Sequence, residues 1–319
     1  MLRKVNLEAK LREMMGSMAE LRGQQKQGLQ AIMRREPRVL MVMKTGGGKS
    51  LMYMMPAHCS VEGVTVVVVP LRSLQEYQGR RCKQAGLNVA QWSDTKKVRT
   101  AQAVLITPES AVTKAFGRFM NEKVSMGLLE SVVIDECHII LDSIYGWRFK
   151  VLELMELCEG ECQLIYLTST LPHKDMPAFW RGSGLDPTDV LMLRDNTSRA
   201  NVAYRVIEYP TEDEDEAVQK LVEEKLRQYS GIGQIVVYCR SIKQCITLGG
   251  VLKCPMYFRE VGSEDEKRGI LQNLAKGQER VFVATHALGL GIDAAGIRGV
   301  LLVGVKAKMK DYGQERRAQ

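Results

Sequence analysis

Four short apolar runs, Val64 to Val69, Ala103 to Ile106, Ser131 to Ile134 and Leu164 to Leu167, constrain the fold of this chain more than any other feature. Each run is continuous rather than alternating, so a strand made from it has no polar face to turn toward water. Strands buried on both faces belong to parallel sheets, and the helical or loop segments between these runs supply the crossovers that parallel pairing needs. A fifth run, Val39 to Met43, precedes them and leads into Lys44-Thr45-Gly46-Gly47-Gly48-Lys49-Ser50. Upstream, residues 5 to 35 read as helical, with Leu7, Leu11, Met14, Met15, Met18 and Leu21 near helical spacing and Gly16 and Gly23 as breaks.

A second alternation lies further along the chain. The pattern predicts helix over 216–229, strand over 234–239, helix over 241–252, strand over 255–258, helix over 263–275 and strands over 280–284 and 299–304. Between the two alternations the chain changes character, from Asp195-Asn196-Thr197-Ser198 through Pro210 to the acidic run Glu212 to Glu216, and a boundary is placed near residue 205. A chain of 319 residues has room for two ordinary cores. The expected class is α/β, in two domains, each a mainly parallel sheet flanked by helices.

The glycine-rich stretch carries the first chemistry. Three glycines in a row let the backbone curl until successive N–H groups face inward, and such a nest binds phosphate. Lys49 then reaches the β and γ phosphates of a nucleotide, the Ser50 hydroxyl holds Mg²⁺, and a helix starting near Ser50 turns its positive end toward the anion. The general phosphate-loop pattern asks for glycine where this chain has Met43; apolar-x-Thr-Gly-x-Gly-Lys-Ser is the variant met.

The second chemistry is Asp135-Glu136-Cys137-His138, directly after an apolar run. Carboxylates just past the C-terminal end of a parallel strand stand where α/β sheets bind ligands. Asp135 can hold Mg²⁺ through water, and Glu136 can orient and deprotonate a water attacking the γ phosphate. His138 follows directly, and coupling to a neighbouring segment is the role expected for it.

Net charge and cysteines add bounds. The formal charge of +8 fits a polyanionic partner, and fits an ordinary basic protein equally well. Eight scattered cysteines, mostly in apolar runs, read as reduced thiols of an intracellular protein. Cys158 and Cys162 lack the second pair that a tetrahedral zinc site needs, so no zinc is expected. The N-terminus alternates charged and apolar residues, and neither a signal peptide nor a membrane span is read there.

Together, Met43-Lys-Thr-Gly-Gly-Gly-Lys-Ser50 and Asp-Glu-Cys-His resemble the ATPase core of superfamily two helicases, and the RecQ family in particular. The resemblance implies two RecA-like domains, ATP with Mg²⁺ as the nucleotide, and 3′ to 5′ movement on single-stranded or partly duplex DNA. It assigns residues 1–20 to a helical extension, 21–204 to the ATP-binding domain and 205–319 to the C-terminal domain. Localisation would be intracellular, and nuclear in a eukaryote.

Other segments match piece by piece. Leu21-Arg22-Gly23-Gln24-Gln25 is similar to the family's adenine-reading motif, which gives the base to Arg22 and Gln25, and the nucleotide cradle to Thr45 with the three glycines. Val69 to Leu74 and Ile106-Thr107-Pro108-Glu109 resemble loops that touch the DNA backbone, through Arg72, Ser73 and Thr107. Thr168-Ser169-Thr170 is similar to a motif whose hydroxyls, here Thr168 and Thr170, couple the carboxylate loop to the other domain.

Tyr145-Gly146-Trp147-Arg148-Phe149 lies where RecQ proteins carry an aromatic-rich loop that senses DNA, and Trp147, Arg148 and Phe149 are its candidate contacts; a buried helix start is the other reading. In the second half, Ile235 to Ser241 resembles motif four, with Arg240 facing DNA. Ala284 to Asp293 resembles motif five, with Thr285 near DNA phosphate and Asp293 near the ribose.

The chain departs from the family at Tyr312-Gly313-Gln314-Glu315-Arg316-Arg317-Ala318-Gln319. The family pattern is Tyr-x-Gln-Glu-x-Gly-Arg-Ala-Gly-Arg; Arg317 aligns with the first arginine, and the second has no counterpart. The resemblance therefore supports two outcomes besides a DNA helicase core: a nucleic-acid-binding remnant with weak turnover, and an RNA helicase of the Asp-Glu-Ala-Asp type. Against the latter, Pro70-Leu71-Arg72-Ser73-Leu74 replaces that group's Pro-Thr-Arg-Glu-Leu.

Overall fold

The computed structural model describes residues 5–93, 97–141, 162–197, 201–229, 231, 233–285, 288 and 296–304. The chain divides into two units, residues 1–200 and 201–319.

The first unit is built on a parallel sheet of seven strands: β1 (Arg38–Val42), β2 (Val64–Val68), β3 (Val89–Gln91), β4 (Ala103–Ile106), β5 (Leu129–Asp135), β6 (Gln163–Thr168) and β7 (Leu191–Arg194). Their order is β3-β4-β2-β5-β6-β1-β7, and every pairing is parallel. The five expected strands, β4, β2, β5, β6 and β1, form the middle of the sheet. Val66, Val67, Val133, Ile134, Ile165 and Leu167 are fully buried, as continuous apolar runs require. The edge strands β3 and β7 were not expected. β7 is half exposed along its length, so its sequence lacks the apolar run that marks a central strand.

Helices cover both faces. They are α1 (Leu7–Met15), α2 (Gln25–Met33), α3 (Leu51–Cys59), α4 (Arg72–Gln84), the single turn α5 (Pro108–Ala111) and α6 (Lys114–Ser125), followed by Met176–Ser183. On one face, Leu7, Leu11 and Met14 of α1 join Leu29, Tyr53, Met55, Val133 and Ile165 in one apolar cluster. α3 is apolar all round and correspondingly buried from Leu51 to Ala57.

On the other face, α6 starts where the Thr113 hydroxyl accepts from the Phe116 N–H at 3.4 Å. The Phe116 ring then stands edge-on to Trp92, with centroids 4.9 Å apart, and is fully buried. Phe116→Ala removes this payload from a close-packed site and is expected to cost about 3–5 kcal/mol. A urea unfolding midpoint compared with that of the parent chain measures it.

The second unit carries four parallel strands in the order β11-β8-β10-β9: β8 (Gln234–Tyr238), β9 (Met256–Tyr257), β10 (Val281–Ala284) and β11 (Ile297–Leu302). Helices Glu214–Gln228, Ile242–Leu252 and Glu264–Lys276 flank them. The last of these opens on a capping box, in which Ser263 and Glu266 exchange side-chain-to-backbone hydrogen bonds. The buried Gln234 amide donates to the Leu274 and Glu279 carbonyls and ties that helix to the central strand. No helix among the described residues is long and apolar enough to cross a membrane.

Candidate active site

Strand order decides what meets in the first unit. β5, β6 and β1 are neighbours, so the segments leaving their C-terminal ends come together: Asp135-Glu136 after β5, Thr168-Ser169-Thr170 after β6 and the glycine-rich loop after β1. Residues far apart in sequence become one site because parallel strands all end on the same side.

The loop has the expected form. Gly46 and Gly48 hold φ of 74° and 76°, a region that side-chain-bearing residues rarely occupy. The Gly47 N–H donates back to the Lys44 carbonyl at 2.9 Å, closing the curl. Ser50 is the residue before α3, and the N–H groups of Leu51 and Met52 donate back to the Gly48 and Lys49 carbonyls at 3.0 Å, so the curl runs directly into the helix.

Gln25, at the start of α2, fastens this loop from outside. Its Nε2 donates to the Gly47 carbonyl at 2.9 Å, and its Oε1 accepts from the Arg22 N–H at 2.7 Å. A Cβ on Gly48 would collide with the same amide, so the close approach also requires glycine there. The structure thus places Gln25 buried against the loop and Arg22 exposed beside it.

Lys49 reaches toward the acidic pair. Its Nζ stands 3.9 Å from Glu136 Oε1, with only 12% and 8% of the two side chains exposed. An ammonium and a carboxylate at this separation, shielded from water, act on one another far more strongly than at the surface. Glu136 has φ of 53°, a left-handed backbone that costs a residue with a side chain about 1–2 kcal/mol. Asp135 Oδ1 accepts the Glu136 N–H at 3.0 Å, which helps set the turn that aims the glutamate away from the strand.

His138 links the second and third segments. Its Nδ1 lies 2.9 Å from Thr168 Oγ1 and 3.4 Å from Glu136 Oε2. Thr168 Oγ1 also accepts the Thr170 N–H at 3.1 Å. The histidine therefore ties the acidic turn to the hydroxyl segment within this unit. Cys137, between them, is a core residue, and burial with two adjacent carboxylates holds its thiol well above the usual range and protonated.

Sequence reasoning missed two members of the network, Tyr53 and Gln78. Tyr53 O–H donates to Gln78 Oε1 at 2.9 Å, and Gln78 Nε2 donates to Asp135 Oδ2 at 2.5 Å, all three residues being buried. α4 is a polar helix, and nothing in its sequence separates Gln75 and Gln78, which are buried, from exposed glutamines. Gln75 Nε2 donates to the Leu105 carbonyl at 2.6 Å and anchors the same helix.

The remaining candidate residues fall in three groups. Arg72 and Ser73 belong to the first turn of α4 and not to a loop, and Thr107 is the residue preceding α5, so both segments present helix starts. In the second unit, exposed Arg240 lies 3.8 Å from Glu214, in a hollow also lined by Asp215, Ser241, Lys243 and Thr247; Thr285 follows β10 and donates its N–H to Tyr257 O at 3.0 Å. Trp147, Arg148, Phe149, Asp293 and Arg317 lie outside the described residues.

A glycine-rich curl after β1 and an acidic pair after β5, on a parallel sheet, are the layout of a RecA-like domain, and the two parallel sheets match the two RecA-like domains of helicases. Residues 22–178 match the DEAD/DEAH box helicase family as a domain, and RecQ-type DNA helicases are distant relatives over about 90% of the chain. It is 27% identical to a putative ATP-dependent DNA helicase Q1 of Caenorhabditis briggsae over 91% of this chain and 50% of that protein. It is likewise 27% identical to the ATP-dependent DNA helicase RecQ of Pasteurella multocida, over 86% of this chain and 44% of the relative. The chain thus spans about half the length of the curated relatives it matches. Among solved structures, the DEAD-box helicase Mss116 bound to single-stranded RNA and UDP-BeF shares the fold, with a TM-score of 0.74 at 16% identity, covering 99% of this chain and 70% of that one.

Proposed function

We propose that this chain is the core of an ATP-dependent 3′ to 5′ DNA helicase, which couples hydrolysis to movement along a single strand. The observation that carries the reading is the approach of Lys49 to Glu136 at 3.9 Å beside a glycine curl with its helix start. Those are the cation, the base and the amide donors that transfer of a phosphoryl group to water calls for.

Their division of labour follows from chemistry. Lys49 neutralises charge on the terminal phosphates, and the backbone of the curl offers N–H donors to the same oxygens. Glu136 orients a water and takes its proton, a task suited to a carboxylate held in place by its own backbone turn. Ser50 and Asp135 suit Mg²⁺, which takes hard oxygen ligands, one or two from protein, and keeps several waters; the ion would neutralise phosphate charge when bound. Thr45 with Gly46, Gly47 and Gly48 would cradle the phosphates, Arg22 and Gln25 would adjoin the base, and Asp293 the ribose. Arg317 would supply the cationic finger, and His138 with Thr168 and Thr170 would report the state of Glu136.

DNA is favoured over RNA because the curated relatives named above are DNA helicases, and the sheet ends supply the contacts. Arg72, Ser73 and Thr107 at helix starts, with Arg240 and Thr285 in the second unit, offer the guanidinium, hydroxyl and N–H groups that hold a phosphate backbone. Trp147, Arg148 and Phe149 add ring faces for unpaired bases.

The motif-six sequence, which lacks the family's glycine before Arg317, favours a second reading: binding with weak turnover. An ATPase assay with and without single-stranded DNA tests the first against the second. The helicase reading expects DNA to raise the rate severalfold and DNA to outcompete RNA of the same sequence. Equal rates with and without DNA would remove the coupling, and activity no higher than that of Lys49→Ala would leave a binding protein.

A further inference from the structure

Ser50 and Asp135, the two residues suited to Mg²⁺, lie on different elements, 85 positions apart in sequence. Two buried side chains lie between them. Tyr53, one turn along α3 from Ser50, is hydrogen-bonded to Gln78, and Gln78 is hydrogen-bonded to Asp135. None of the four lies on an element shared by all, so the connection crosses from α3 to α4 to the end of β5.

The polarity of this chain is fixed by donor and acceptor chemistry. An ionised carboxylate only accepts, so the Gln78 amide must turn its NH₂ toward Asp135. That leaves Oε1 facing Tyr53, and the phenol therefore donates to it at 2.9 Å. Burial keeps the phenol far above its ordinary range, so its proton stays in place at any working pH. Asp135 has one oxygen held by Gln78 and the other by the Glu136 N–H, so its carboxylate plane is pinned from both ends.

We propose that Tyr53 and Gln78 are positioning residues, a buried strut that holds the Asp135 carboxylate toward a divalent cation in one fixed geometry. The inference rests on the nucleotide site argued above. Groups that orient metal-holding side chains typically contribute about 10- to 100-fold to metal affinity.

The test uses the full chain and a fluorescent N-methylanthraniloyl ADP, titrated in EDTA and then across a range of Mg²⁺, for the parent, Tyr53→Phe, Gln78→Met and Lys49→Ala. The strut predicts that Tyr53→Phe and Gln78→Met bind the nucleotide in EDTA as the parent does, and need about 10- to 100-fold more Mg²⁺ to reach the tighter binding. Lys49→Ala should lose affinity in both conditions. If both strut variants reach half-effect at the parent's Mg²⁺ concentration, the strut is overturned while the site stands. If they lose binding equally with and without Mg²⁺, their role is structural and the strut is again overturned. A parent whose affinity does not respond to Mg²⁺ overturns the metal-site reading and the strut with it, whereas a parent equal to Lys49→Ala overturns the phosphate reading itself.

Discussion

Lys49→Ala is expected to reduce ATP affinity by about 2–5 kcal/mol, the cost of truncating one partner of a desolvated charge pair. That corresponds to roughly 30- to 4,000-fold in dissociation constant. The argument begins with exposure: the Lys49 side chain is only 12% exposed, so water does little to screen what it does to a phosphate. The substitution also leaves Glu136 without its nearby ammonium, 3.9 Å away in the parent chain. A bound triphosphate would then meet an unneutralised carboxylate, and the two penalties act in the same direction.

Lys49→Met separates charge from packing, because it keeps most of the stem while removing the ammonium. Both variants should keep the parent's thermal transition to within a few degrees, since His138 Nδ1 still lies 3.4 Å from Glu136. Isothermal titration with ADP and with a non-hydrolysable ATP analogue reads the affinities. Parent-like affinity in Lys49→Met would show that the ammonium does not bind nucleotide, and the proposed function would fall.

The sheet was legible because its central strands leave little choice. A run such as Val64 to Val69 cannot expose one face, so it must lie inside a layered α/β structure, and the strand observed is Val64–Val68. The glycine curl was legible for a similar reason: Gly46 and Gly48 mark backbone that few other residues adopt. The edge strand β7 was not, because Leu191–Arg194 is half exposed and carries no distinguishing pattern. Arg72 and Ser73 were read as loop on the family resemblance alone; the helix observed starts at Arg72, two residues after Pro70.

Polar partners separated in sequence were the least legible part of the site. Gln25 meets Gly47 across 22 positions, and Gln78 meets Asp135 across 57. Neither spacing leaves a periodic trace, since such contacts exist only once parallel crossovers have stacked the elements. A buried glutamine on a polar helix is visible in a sequence only as one more glutamine. Its role comes from the carboxylate that it faces.

Glu136→Gln should leave nucleotide affinity close to the parent's and lower the turnover number by about 10²–10⁴, the usual contribution of a positioned general base. Glutamine keeps the length, the shape and the φ of 53°, so backbone strain at the turn is unchanged. What it loses is the capacity to take a proton from water, together with the negative charge beside Lys49. Losing that charge removes a repulsion toward phosphate, so binding should hold or tighten slightly while hydrolysis stops. This opposes the pattern expected of Lys49→Ala, in which binding fails first. A structural defect in either variant would weaken binding and turnover together, so the opposition itself is diagnostic. Single-turnover hydrolysis with saturating ATP measures the chemical step apart from binding. A Glu136→Gln chain that hydrolyses ATP at the parent rate would remove Glu136 from the chemistry and require another base within reach of the phosphate loop.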